Sequence, residues 1–209
     1  MTKNINLFSL SRVSGSTIKA RKTKAVILKV AYDILTSEKY HELCYARISK
    51  KSGLSIQNIA YYYSSINDIL IEMTKITYMH GQKVTEEKVN LTKNYNDKII
   101  SILDSAVNWV VEDTRRGRFF LAIYYYSSCI PEVRKMHNEA LKIAEERIKI
   151  ILLESFKLND IESIELIAQS IHSLLVGSLI KMISINDYKD NKKYIESSIK
   201  AVQRLLETF

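Results

Sequence analysis

The chain has 209 residues, with 31 Lys+Arg against 23 Asp+Glu for a net charge of +8, and 46% of its residues are hydrophobic. That balance excludes a disordered chain and allows one domain or two small ones. Five glycines and one proline are too few for the turns of an all-β fold or the phosphate loop of a Rossmann fold, so composition points to an all-α protein.

Residues 1–18 carry no helical apolar stripe, and Ser9, Ser11, Ser14, Gly15 and Ser16 read as a flexible basic arm. A compact apolar core is missing from this stretch, so a signal peptide is not expected. From Lys19 the pattern changes: Val26, Ile27, Val30, Ala31, Ile34 and Leu35 recur at spacings of three and four, predicting a helix over 19–38. Its basic residues Lys19, Arg21, Lys22 and Lys24 crowd the N-terminus, where they oppose the helix dipole and need another reason to be there. Short helices follow at about 45–52, ended by Gly53, and 56–62, opened by Ser55. Longer ones are predicted at about 66–80, 97–112, 116–128, 132–156, 160–186 and 190–208. Between the first two of these, the polar stretch 81–96 contains the one extended break, with part of it open to a helical reading, and the later breaks fall at Arg115–Gly117, Ile130–Pro131, Leu158–Asn159 and Asn186–Asp187. The apolar run 166–180 is interrupted by Gln169, Ser170, His172 and Ser173 and is shorter than the roughly 18 to 20 residues a bilayer requires, so no membrane span is expected.

Charge is unevenly placed. The first 65 residues hold 11 basic and three acidic groups, whereas the remaining 144 hold 20 of each. The whole excess therefore lies in the first third, the footprint of a polyanionic partner, with nucleic acid ahead of an anionic membrane; a solvated basic face without a ligand is the bland alternative. Within that third, the stretch 48–59 has the spacing of a helix-turn-helix. Ser49 is small where two helices must cross, Gly53 supplies a left-handed turn residue, and Ile48, Leu54 and Ile59 lock the pair. An ordinary helical corner is the alternative for spacing alone.

Residues 19–70 resemble the DNA-binding head of the tetracycline-repressor (TetR) family of transcriptional regulators. The resemblance runs from the first helix through Ile48, Gly53, Leu54, Ser55, Tyr62 and Tyr63 to Asp68, Ile69 and Leu70. It implies a three-helix head over 19–65, a helical body over 66–209 that dimerises and binds a small-molecule inducer, and a third helix that enters the major groove. The sequence departs from the family at Ala60, where Tyr61 takes over from the usual tyrosine, at Ile66, which replaces a phosphate-binding lysine, and at Lys39, which replaces a frequent glycine. The expected base readers are Ser55, Ile56, Gln57 and Asn58 with Tyr61, and Tyr62 beside them. Lys22, Lys24, Arg47 and Lys50 are expected to hold phosphates.

In the body, Phe119, Phe120, Tyr124, Tyr125 and Tyr126 place large rings on every face of one helix. They read either as core packing or as a cavity lined by Trp109, Phe120, Tyr124, Tyr125, Cys129, Met136 and His137, suited to an apolar, aromatic or cationic ligand. Dimerisation is expected through the last two helices, by Ile171, Leu174, Leu175, Ser178, Leu179, Met182, Val202 and Leu205, with Gly177 allowing a second backbone close. His172 reads as a hydrogen-bonded interior or interface residue. Cys44 and Cys129 have no ligand spacing, so neither zinc nor a disulfide framework is indicated, and a reducing cytoplasm fits. Glu38 and His41 make a single ExxH, half of what a di-iron bundle needs, and the histidines are otherwise scattered. No cofactor and no enzyme activity are expected. The reading is a homodimeric, ligand-responsive repressor of a palindromic operator; the alternative is a helical small-molecule-binding or enzymatic domain whose basic N-terminus docks to a membrane.

Overall fold

The structure, a computed structural model, describes residues 7–37, 42–155, 161–185 and 191–206. Residues 1–6 of the expected arm, Lys39, the Glu38 and His41 pair, and the breaks at 158–159 and 186–187 lie outside the described residues. Among the described residues all regular structure is helical: α1 (Ile18–Leu35), α2 (Tyr45–Ser52), α3 (Ile56–Tyr62), α4 (Ile66–Leu91), α5 (Tyr95–Val111), α6 (Thr114–Cys129), α7 (Pro131–Ser155), α8 (Ile161–Ser184) and α9 (Asn191–Leu206). By packing, the chain forms two compact units, 1–80 with 118–137 and 81–117 with 138–209. These units are defined by contacts, whereas the division expected at 65/66 is one of function.

In the first unit, α1, α2 and α3 pack on one another. Thr17 caps α1 by accepting the Ala20 N–H at 3.1 Å, and Ile27, Leu28, Ala31, Tyr32, Ile34 and Leu35 turn inward at helical spacing. The helix stops at Leu35 rather than at 38, because Thr36 turns its hydroxyl back to the Tyr32 carbonyl at 2.7 Å and the Arg118 guanidinium donates to the Thr36 carbonyl at 3.0 Å. Ser65 and Asp68 open α4 with a reciprocal capping box: the Ser65 Oγ accepts the Asp68 N–H at 3.1 Å and the Asp68 carboxylate accepts the Ser65 N–H at 2.9 Å. Ile69, Leu70, Met73 and Ile76 of α4 and Phe119, Ile123 and Val133 complete this core.

Residues 7–17 correct the expectation of a flexible arm. Phe8 and Val13 are each only 4% exposed and belong to the core, and the Phe8 ring meets Tyr32 edge-on at 5.4 Å. Two apolar residues five apart in a serine-rich segment have no helical or strand period, so their burial leaves no pattern to read.

A second correction is one of extent: α4 continues through Gly81 to Leu91, so most of the stretch expected to contain a break is helical. A helical glycine costs about 1 kcal/mol against alanine, a weak penalty that tertiary packing overrides. Here the Trp109 indole lies 3.7 Å from where a Cβ on Gly81 would stand. In the second unit α8 is the core helix, burying Ile164, Ile167, Ala168, Ile171, Leu175, Leu179, Met182 and Ile183, and α9 packs on both α8 and α5. Among the described helices α8 is also the one long and apolar enough to cross a membrane, with a mean hydropathy of 1.5. Those buried residues account for part of that apolarity, 44% of the apolar window being buried inside the fold. Gly117 sits in a tight place, since a Cβ there would stand 3.0 Å from side-chain carbons of Val110 and Ile183, which would have to give by a few tenths of an ångström. His172 is interior, 7% exposed, with its Nδ1 3.1 Å from a Glu145 carboxylate oxygen.

Candidate nucleic-acid interface

The corner between α2 and α3 is built as the sequence requires. Gly53 ends α2 at φ +73°, in the left-handed region, and its N–H bonds the Ser49 carbonyl at 2.9 Å. The Ser49 hydroxyl donates to the Leu54 carbonyl at 2.6 Å, so the small residue also satisfies the turn. Ile48 and Ile59 are fully buried on either side of the corner, each contributing about 1.5–3 kcal/mol by leaving water. At the far end, the Tyr45 hydroxyl donates to the Tyr63 carbonyl at 2.6 Å and ties the start of α2 to the end of α3.

This framing leaves one face of α3 to solvent. Ser55, Gln57 and Asn58 are exposed, Ile56 is 46% exposed and Tyr61 82% exposed. Ser55 is the cap of α3, its Oγ accepting the Asn58 N–H at 3.1 Å, so its hydroxyl is already engaged. The side-chain amides of Gln57 and Asn58 have no partner among the described residues. Tyr62 is half-buried and braces the Tyr61 ring edge-on at 5.1 Å. Lys22, Lys50 and Lys51 are exposed and likewise unpaired among the described residues.

Two of the expected phosphate ligands are placed differently. Lys24 is not presented to solvent. Its side chain is 14% exposed, its Nζ sits 2.7 Å from the Glu72 carboxylate and 2.6 Å from the Ser14 Oγ, and it lies over the Tyr63 ring at 4.8 Å. Arg47 is half-buried and paired with Glu42 at 2.8 Å, so it offers a compensated charge. The reason in each case is an acidic partner, remote in the sequence for Lys24 and only five residues away for Arg47.

Glu72 on α4 is the residue that sequence reasoning missed. Its Oε1 accepts the Ser14 N–H at 3.1 Å and the Ser14 hydroxyl at 2.7 Å, while its Oε2 accepts the Tyr63 hydroxyl at 3.0 Å beside Lys24. One carboxylate thus joins the N-terminal segment, α1, the residue ending α3, and α4. Burial by itself would raise its pKa, but the donors from Lys24 and Ser14 outweigh that and hold it below the usual carboxylate range. Tyr63 is raised by its burial and by the Glu72 charge and hydrogen bond. Ser14 and Glu72 are 58 residues apart, and no local pattern in the sequence connects them.

Several rings of the aromatic segment contact one another. Phe120 and Tyr124 meet at 4.8 Å, Tyr124 meets His137 at 4.4 Å, and the Tyr78 hydroxyl lies 2.6 Å from the His137 Nδ1. Burial pushes the Tyr124 phenol up to about 12 and raises Tyr78 as well, with Tyr124 adding to the latter. Tyr125, 66% exposed, and Cys129, exposed, face solvent, which corrects their expected place in a cavity wall. Met136 is half-buried, and Trp109 belongs to the other packing unit, where its indole holds the Arg116 guanidinium at 5.1 Å.

The expected dimer face needs a similar correction. Ile171, Leu175, Leu179, Met182 and Val202 are buried within the protomer, so their apolar surface is already spent. Leu174 is 39% exposed, Ser178 and Leu205 are half-buried, and Gly177 is open, with nothing within 4 Å of a Cβ built on it. Leu166, at 64%, adds to the exposed side of α8.

No family sequence model and no curated protein matches the chain. Its fold, however, is that of solved TetR-type transcriptional regulators. A TetR transcription regulator from Haloarcula marismortui aligns with a TM-score of 0.75 at 14% identity, covering 90% of this chain and 98% of that one. A transcriptional regulator from Saccharomonospora viridis, solved in complex with choline, gives 0.73 at 15% identity over 86% and 96%. The fatty acid degradation regulator FadR from Bacillus halodurans gives 0.71 at 16% identity over 86% and 94%.

Proposed function

We propose that this chain, having the TetR-regulator fold, is a cytoplasmic DNA-binding transcriptional repressor that acts as a homodimer on a palindromic operator and is released by a small molecule. The observation that carries the reading is the outward face of α3: Ile56, Gln57, Asn58 and Tyr61 stand exposed on a helix whose attachment is fully locked. A helix held this way presents amide groups that match adenine bidentately and an apolar side chain suited to a thymine methyl. Lys22 and Lys50, exposed and without counter-ions among the described residues, are the phosphate holders, joined by Lys51 in place of the internally paired Lys24. In functional terms 19–65 is the reading head and 66–209 the ligand-binding and dimerisation body.

Dimerisation follows from α8, where Leu166, Leu174 and the open Gly177 leave an apolar stripe that a second copy would cover. The inducer acts by favouring a separation of the two heads that no longer fits major grooves roughly 34–36 Å apart. The Saccharomonospora regulator holds choline, which supports a small-molecule site in a fold of this kind. The test is selection of bound sequences from random duplex DNA. A palindromic consensus supports the reading; retention of every duplex equally, or sedimentation with anionic vesicles in place of DNA binding, refutes it.

A further inference from the structure

The second unit contains a groove of about 450 Å³ between the last turns of α4, the start of α5 and one face of α7. On α7 it runs from Ile143 to Glu154, a rise of about 16 Å along the helix. Val89 and Ile151 are buried at its base, and Ile143 and Ile150 line it while still 51% and 48% exposed. Exposed isoleucines along a concave surface gain by being covered.

The charges around this groove are unequal in their state. Lys98 is answered by Glu154 at 3.8 Å, and Glu146 lies 4.0 Å from Lys149. Arg147 also lines the groove. It is half-buried, and no hydrogen-bond or ion-pair partner for it exists among the described residues. Its guanidinium is the cation of the lining left without an anion among the described residues, and its planar fork fits a carboxylate through two parallel hydrogen bonds. Glu86, also unpaired, is exposed on the rim, where water satisfies it. With Glu146 and Glu154 it makes the rim unfavourable to a multiply charged anion such as a phosphate.

We propose that this groove binds an amphipathic monocarboxylate, its apolar chain lying on Val89, Ile143, Ile150 and Ile151 and its carboxylate on Arg147. The proposal names a ligand class for the regulator described above, while the binding itself does not depend on that role. Titration calorimetry of the full chain with decanoate, decanol and decyltrimethylammonium, each below micelle formation, tests it. Decanoate binds saturably and more tightly than the other two. Arg147→Gln weakens decanoate by about tenfold or more and leaves decanol unchanged, and Ile150→Trp, which fills the groove from an exposed position, weakens both. Circular dichroism of both variants matches the parent. The proposal is overturned if decanoate does not bind, if Arg147→Gln binds it as well as the parent, or if the ammonium binds as tightly. A protein that binds decanoate through Arg147 and yet binds no duplex refutes the regulator reading and leaves this one standing.

Discussion

Replacing Glu72 by Gln tests whether one carboxylate holds the N-terminal segment and the reading head together. Lys24 and Glu72 are 2.7 Å apart with side chains only 14% and 16% exposed, so the pair is nearly buried. Neutralising the acid leaves the ammonium with the Ser14 hydroxyl and the Tyr63 ring. Breaking one side of a buried pair costs about 3–5 kcal/mol, and Gln keeps an oxygen that can still accept from Ser14 or Tyr63, so a loss of about 2–3 kcal/mol is expected. Lys24→Met in the same background removes the stranded charge, and the double variant recovers about 1–2 kcal/mol relative to additivity. The assay is urea unfolding of the four proteins at pH 7. Because folding lowers the Glu72 pKa, its contribution is fully present above the unfolded carboxylate pKa, about 4.3. It is lost as the pH falls through the folded value, so the gap between parent and Glu72→Gln closes in acid. A loss under about 0.5 kcal/mol at pH 7, or strict additivity, refutes the assignment.

Lys22→Ala is expected to weaken all duplexes alike and flatten the salt dependence by about one unit of slope, whereas Lys24→Ala lowers the unfolding free energy with little change in slope; salt titrations and urea unfolding of both variants separate these roles. Gln57→Ala or Asn58→Ala costs about 1–3 kcal/mol on the selected site and relaxes its preference, measured by competition between specific and random duplexes; unchanged preference would mean that α3 is not the reader. Phe8→Ala destabilises the protein by about 2–4 kcal/mol in thermal or urea unfolding, since its ring is 4% exposed, while a value near zero would restore the free-arm view. Light scattering of the parent gives two chains of 24.2 kDa each and Leu174→Asp gives one; a monomeric parent removes the dimer.

Much of the head was legible in the sequence because its information is local. The Ser49 to Gly53 spacing, the Ser55 cap and the period of Ile27, Ala31, Ile34 and Leu35 are each set by one helix turn or one corner, and the structure forms them as those spacings require. The body helices likewise follow their apolar periods to within a few residues at most ends, apart from α4, where tertiary packing carries the helix past Gly81. What a side chain does once it reaches an interior is a different matter, because that depends on partners brought together from distant parts of the chain. Lys24 and Lys22 are two residues apart on one helix, yet Lys24 meets Glu72 and is consumed by an internal ion pair while Lys22 remains free. Phe8 and Val13 carry no periodic signal, and only the shape of the surface beside Tyr32 draws them into the core. The apolar residues of α8 announced a buried face, but which of them are covered within the protomer and which stay exposed was settled by how the body helices pack. Periodicity states that a face is apolar; only the folded chain determines what covers it.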